Sequence, residues 1–255
     1  MKKPIKILLI ALFWFGIWEI AALTVGNSLL FPSPVDVVIR LFSLIPTENF
    51  ILSVLMSLVR VSAGIVIAIL LGVCVAVLCA KFHFVYELLY PVITIIKSTP
   101  VASFIVLVIL FMGRNIVPTF ITVLMVFPIV WSNVYRGIKN TRVELREVCK
   151  VYSISKGKQF KSLYFPSVMP YFISAVLSGI GLGWKAGIAA EVLCNLPRSI
   201  GGNLYEAKLY IETADMFAWT VTVIIMSLLL ELLVSKLIKR LSGKYSAVEE
   251  GKDET

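Results

Sequence analysis

The apolar positions of this chain fall into long runs nearly free of charge, separated by shorter polar stretches. A helix that crosses a bilayer needs about 20 mainly apolar residues at about 1.5 Å each. Six runs meet or approach that measure. Residues 7–25 carry only Glu19, residues 61–80 and 116–135 carry no charge, and residues 88–112 contain Lys97 together with Pro91 and Pro100. Residues 166–184 are charge-free and continue through Lys185 to Glu191, and residues 216–235 contain Glu231 near their end. Helices satisfy every backbone hydrogen bond internally, as lipid demands, so the predicted fold class is an all-α membrane protein with six transmembrane helices.

The joining segments are unequal. Residues 26–49, with Phe31-Pro32-Ser33-Pro34, and residues 195–215, with Gly201-Gly202, read as turns, because Pro and Gly break helix. Residues 136–165 differ: these 30 residues hold eight cations and two acids, too long for a simple turn and too charged to span. Within them Val143, Leu145, Val148, Cys149, Tyr152 and Ile154 recur at mostly helical intervals and predict a short amphipathic helix. Ser153 and Ser155 interrupt it. Ser155 is placed to cap a second short helix by accepting a backbone N–H bond, and the apolar side of that helix, Phe160, Leu163 and Phe165, ends at Pro166.

Composition agrees with this pattern. The 255 residues are 59% apolar and 15% charged, with a mean hydropathy of +0.93, where a soluble domain averages about 45–50% and about 25%. Disorder, a nucleic-acid-binding tail and a disulfide framework are therefore poor readings, because so apolar a chain has too much oily surface for one water-facing globule. The four cysteines, Cys74, Cys79, Cys149 and Cys194, have no metal-ligand spacing and read as unpaired small apolar residues.

The net charge of +9 matters through its placement. With the N-terminus inside and six spans, 17 of the 24 Lys and Arg residues fall on the cytoplasmic side: Lys2, Lys3, Lys6, Lys81, the eight of residues 136–165, and Lys236, Lys239, Arg240, Lys244 and Lys252. The other side keeps Arg40, Arg114, Arg198 and Lys208, with Arg60 at the edge of a span. This asymmetry places both termini in the cytoplasm. A uniform basic coat would suit nucleic acid, and no such coat is present, so lipid and not nucleic acid is the expected surrounding. Lys2, Lys3 and Lys6 also suit a signal peptide, but no A-x-A-like cleavage site follows near Val25, and the first helix is expected to be retained. Residues 1–255 read as one membrane domain with a core over about 7–238. The acidic tail at 243–255 reads as disordered.

Charge inside a membrane is costly and tends to face a cavity or another charge. Lys97, beside Ser98 and Thr99 on the proline-interrupted run, either lines a water-filled path or snorkels toward an interface. Lys185 follows Trp184 and lies six residues before Glu191, too far along a helix for direct pairing. Lys185 and Glu191 either face a pathway or pack between subunits. Glu19 reads as the donor or acceptor of an interhelical hydrogen bond.

An intramembrane enzyme fails on inventory, since the one histidine, His83, lies in a loop and can build neither an H-E-x-x-H site nor a buried Ser-His pair. No G-x-x-x-x-G-K-[ST] loop occurs either: Gly157-Lys158 is followed by Gln159 and Gly243-Lys244 by Tyr245. Energy from ATP would have to come through a partner. An ion-coupled secondary transporter is the alternative, because it also uses intramembrane Lys and Glu, but it normally has repeated halves, which this chain lacks.

Glu147-Val148-Cys149, then Ser153, Leu163, Phe165 and Pro166, resembles the EAA loop of ABC importer permeases, E-A-A, three residues, G, nine residues, I-x-L-P. Every interval matches. Cys149 stands for the second alanine, Ser153 for the glycine, Leu163 for the isoleucine and Phe165 for the leucine. Nearly the whole chain resembles the nitrate, sulfonate and taurine branch: Phe31-Pro32-Ser33-Pro34 matches its early L-P-S-P segment, Lys97-Ser98-Thr99-Pro100 its proline-broken third span, and Ala189-Ala190-Glu191-Val192-Leu193 its A-A-E-x-L stretch.

The resemblance implies a type I importer permease (MetI-like) with a cytoplasmic coupling helix, in the plasma membrane of a prokaryote. Glu147, Val148, Cys149, Ser153 and Pro166 would dock an ATPase. Lys97, Ser98, Thr99, Trp184, Lys185 and Glu191 are candidates for the translocation pathway. It further implies a second permease subunit, expected to be a second copy, a pair of ABC ATPases that bind ATP and Mg so that this chain needs no cofactor, and an external binding protein. That binding protein would deliver a sulfonate, taurine, nitrate or a vitamin precursor.

Overall fold

The computed structural model describes residues 3–242, whose regular structure is entirely helical; the acidic tail at 243–255 lies outside the described residues. In chain order the helices are α1 (Lys3–Val25), α2 (Pro34–Leu44), α3 (Glu48–Lys81), α4 (His83–Ser98), α5 (Val101–Phe111), α6 (Val117–Lys139), α7 (Val143–Val151) and α8 (Lys156–Gln159). A π-helical turn (Phe160–Tyr164) then leads into α9 (Phe165–Cys194), followed by α10 (Ile200–Leu209) and α11 (Thr213–Ser242).

Four stretches are long and apolar enough to cross a bilayer: Glu48–Lys81, Val117–Lys139, Lys156–Cys194 and Thr213–Ile238. The run expected over 88–112 is two helices, α4 and α5, bent by 106°. The break falls at Thr99-Pro100, where proline has no N–H to offer and holds Thr99 extended at φ −83°, ψ 133°. Counted as one broken span the pair brings the four to five, and α1 contributes a shorter apolar stretch, Leu9–Val25.

The described residues divide into two compact units, one of residues 3–59 with Glu191–Met226 and one of Arg60–Ala190 with residues 227–242. The second unit is held by small residues. On α3, Gly64, Ala68, Gly72 and Ala76 recur at every fourth position and all are buried. On α9, Gly179, Gly183 and Gly187 do the same. An added Cβ would lie 2.8 Å from Val130 Cβ at Gly72, 2.7 Å from Val126 Cγ2 at Gly183 and 2.6 Å from Val61 Cγ2 at Gly187. Lipid is as apolar as a leucine side chain, so close van der Waals packing of this kind takes over the cohesive role that water-driven burial has elsewhere. Buried Trp131 of α6 donates its indole N–H to Cys79 Sγ of α3 at 3.4 Å.

The first unit contains two helices where turns were expected. α2 starts at Ser33-Pro34 because the Ser33 hydroxyl accepts the Asp36 N–H at 3.1 Å, the Asp36 carboxylate accepts the Ser33 N–H, and proline suits the first helical position. Arg40 of α2 grips Asp215 of α11 with both ends of its guanidinium, Nη2 lying 2.9 Å from Oδ2. Trp18 of α1 donates its N–H to the Pro32 carbonyl at 3.1 Å.

α10 likewise runs through Gly201-Gly202. These glycines serve close approach rather than a turn: an added Cβ would meet Glu191 Cβ at 2.4 Å or the Leu196 carbonyl oxygen at 2.0 Å. Glu19 is half-buried and makes no interhelical hydrogen bond among the described residues; it borders a pocket of about 280 Å³ shared with Asp36.

Candidate functional site

Within residues 136–165 a short helix, α7, forms where the apolar periodicity predicts one. α7 occupies nine residues and buries none of them. Val143, Leu145, Val148 and Val151 are all exposed on it, with Val151 at 79%. Glu147 is exposed and Cys149 half-buried. The helix stops in a Schellman motif, in which the Ser153 N–H donates to the Lys150 carbonyl at 3.1 Å and the Ile154 N–H to the Cys149 carbonyl at 2.9 Å. Ser153 holds φ +48° there, in the left-handed region that glycine enters freely.

Ser155 stands at the N-cap of α8, but its hydroxyl makes no capping bond. The Gln159 side chain instead donates to the Ile154 carbonyl at 2.8 Å. The helix does not end at Pro166. It passes through the π-helical turn, where the Phe165 N–H donates to the Phe160 carbonyl, and continues as α9. A proline ring clashes with the carbonyl four residues back, here Ser162, and widening the preceding turn relieves that clash without breaking the rod. Pro166 thus marks the joint between the insertion and α9.

The other candidates are dispersed. Lys97 is exposed at the end of α4, and its ammonium lies 5.9 Å over the ring of Trp131. Trp131, Tyr86 and Tyr135 form a stack in which the two tyrosines lie 4.6 Å apart. Ser98 and Thr99 turn their hydroxyls back onto the Ile95 carbonyl, at 3.1 and 2.8 Å, and so close the end of α4. Trp184 is fully buried and Lys185 exposed. Glu191 belongs to the first unit, fully buried, where its carboxylate accepts the Ser57 hydroxyl at 2.7 Å and the Gly201 N–H at 3.2 Å.

Residues 64–246 match the family described as binding-protein-dependent transport system inner membrane component. The chain belongs to this family. The curated relatives include a nitrate import permease of Synechocystis sp., 28% identical over 69% of this chain and 67% of that protein. A formylaminopyrimidine transport permease of Halalkalibacterium halodurans is 28% identical over 69% and 71%. A taurine transport system permease of Escherichia coli is 22% identical over 91% and 86%. Among solved structures, a bacterial alginate ABC transporter, crystallised with an alginate-bound periplasmic protein, shares the fold with a TM-score of 0.62 at 12% identity, over 94% of this chain and 93% of that one.

The protein is thus an ABC importer permease, a multi-pass membrane component. In this permease the polar network about Glu191 includes residues the sequence does not advertise. Ser57 accepts the Ile200 N–H at 2.9 Å, and Ser53 accepts from Asn203 at 2.8 Å. Their signal is the spacing of four, which sets Ser53 and Ser57 on one buried face of α3.

Proposed function

We propose that this chain forms the membrane pathway of an importer for a small solute of the sulfonate, taurine, nitrate or vitamin-precursor type, and that α7 is its coupling helix. The reading has two copies of the chain side by side, a pair of ATPases beneath them holding ATP and Mg, and an external binding protein that delivers the solute. Six spans, with α1 first and the α4–α5 pair third, put both termini and residues 136–165 in the cytoplasm, as the distribution of Lys and Arg favours.

One observation carries the assignment of α7: a nine-residue helix that buries nothing presents Val143, Leu145, Val148 and Val151 to the outside. An isolated helix with exposed apolar residues is stable when a partner groove receives them. Glu147 is exposed beside them, available to a cation of the ATPase. The helical run from α8 through α9 gives closure of the ATPases a lever on the membrane-spanning part. Lys97, Lys185 and the hydroxyls of Ser98 and Thr99 border the pathway in this reading, whereas fully buried Trp184 and Glu191 support it from behind.

The test is ATP-driven uptake in proteoliposomes holding the full complex. Glu147→Arg is expected to lower uptake by roughly tenfold or more, equivalent to ~1.4 kcal/mol of lost coupling, with membrane insertion unchanged. Wild-type uptake by that variant removes α7 from the mechanism. Uptake that follows an ion gradient without ATP establishes secondary transport instead.

A further inference from the structure

Within the second unit, α3, α6 and the start of α9 line a half-open cavity of about 610 Å³. Its walls include Val73 and Val77 of α3, Val134 of α6, Phe160 and Tyr164 of the π-helical turn, and Phe172 of α9. Among the described residues the one charged member of the lining is Lys81, exposed at the last position of α3. Two further lysines adjoin the lining in sequence, Lys139 after Ile138 and Lys161 after Phe160. No acid lines the cavity among the described residues.

An apolar cavity that opens beside the cationic end of membrane-spanning helices matches an amphiphile of opposite charge. A partner helix fits less well, because a helix about 10–12 Å across fills a comparable volume in about one 5.4 Å turn. We propose that the cavity holds an acyl chain of an anionic phospholipid, whose phosphate meets Lys81 at the cytoplasmic surface. Basic pockets between helices on that side are where anionic headgroups collect. The chain would lie against Phe160 and Tyr164, and so brace the widened turn through which the insertion joins α9.

The proposal rests on the cytoplasmic placement of residues 136–165 in the reading above. It does not need α7 to dock an ATPase, so the two can fail separately.

The experiment places the full chain in nanodiscs with phosphatidylglycerol or phosphatidylcholine carrying a photoactivatable diazirine in the acyl chain, and maps adducts by mass spectrometry. Adducts are expected to concentrate in residues 69–81 and 160–172, with phosphatidylglycerol favoured by roughly fivefold, the factor one interfacial lysine contributes. Val73→Trp, which fills the cavity, should remove these adducts, and Lys81→Glu should remove the headgroup preference. Because Lys81 is exposed, the second variant keeps the test open if the tryptophan disturbs folding. Adducts spread evenly over the apolar faces, or equal for the two lipids, overturn the proposal. So does cross-linking of Cys74, which also lines the cavity, to a second copy of the chain. ATP-driven uptake measured in parallel reports on the coupling reading alone.

Discussion

Ser57 and Glu191, 134 positions apart in the chain, are joined in a fully buried hydrogen bond of 2.7 Å. The same Ser57 oxygen accepts the Ile200 N–H, and the same carboxylate oxygen of Glu191 accepts the Gly201 N–H. Two of the N–H groups that a helix leaves unsatisfied at its start are thereby met at α10 by side chains of α3 and α9, and a carboxylate is favoured there by the helix dipole.

Ser57→Ala is therefore expected to destabilise the protein by about 1–3 kcal/mol, because it removes a donor from a buried carboxylate and an acceptor from a buried N–H at once. Thermal unfolding of the purified chain measures this. Glu191→Gln keeps an acceptor for both donors and should be milder. A Glu191→Gln variant of normal stability that nevertheless loses uptake would move Glu191 from a supporting role to the pathway.

Ser153→Gly should stabilise the loop. The left-handed conformation costs an L-residue about 1–2 kcal/mol, and glycine returns part of that gain through the greater freedom of its unfolded chain. A net rise of up to about 1 kcal/mol follows, with coupled uptake retained. Ser153→Val should act in the opposite direction, since a β-branched residue resists positive φ more strongly. Loss of stability in the glycine variant would show that the Schellman turn does not form.

Gly187→Ala and Gly16→Ala form a contrasting pair. A Cβ at Gly187 meets Val61 at 2.6 Å and Thr122 Oγ1 at 2.8 Å, while one at Gly16 meets nothing within 4 Å. Overpacking at the first site is expected to cost about 1–3 kcal/mol, and the second should be neutral or slightly stabilising, since alanine favours helix. Equal melting temperatures for the two would contradict the tight α3–α9 packing.

The features that were legible in the sequence are those with local causes. The helical intervals of Leu145, Val148, Cys149 and Tyr152 predict α7, and Pro100 predicts the break between α4 and α5. α2 and α10 are not legible in this way, because Pro and Gly break helices in most settings and start or pack them only in particular ones. Pro34 is compatible with helix at its first position, and Gly201 is required where two backbones nearly touch, which depends on what lies opposite. Ser153 shows the same dependence in reverse, a serine doing what the family pattern assigns to glycine because the two Schellman hydrogen bonds hold it there.

The sequence by itself determined that the chain is helical and lives in lipid, which lengths of it are the most apolar, where its cations gather and where the short amphipathic helix α7 lies. These follow from hydropathy, charge and the local stereochemistry of the backbone, all carried by neighbouring residues. Only the tertiary structure decided that Glu191 and Trp184 are buried while Lys97 and Lys185 are exposed, that the glycines of α3 and α9 are contact points, and that an apolar cavity opens beside Lys81. Burial is a relation between residues far apart in the chain, and a charged or small side chain has the same local signature whichever way its helix turns it.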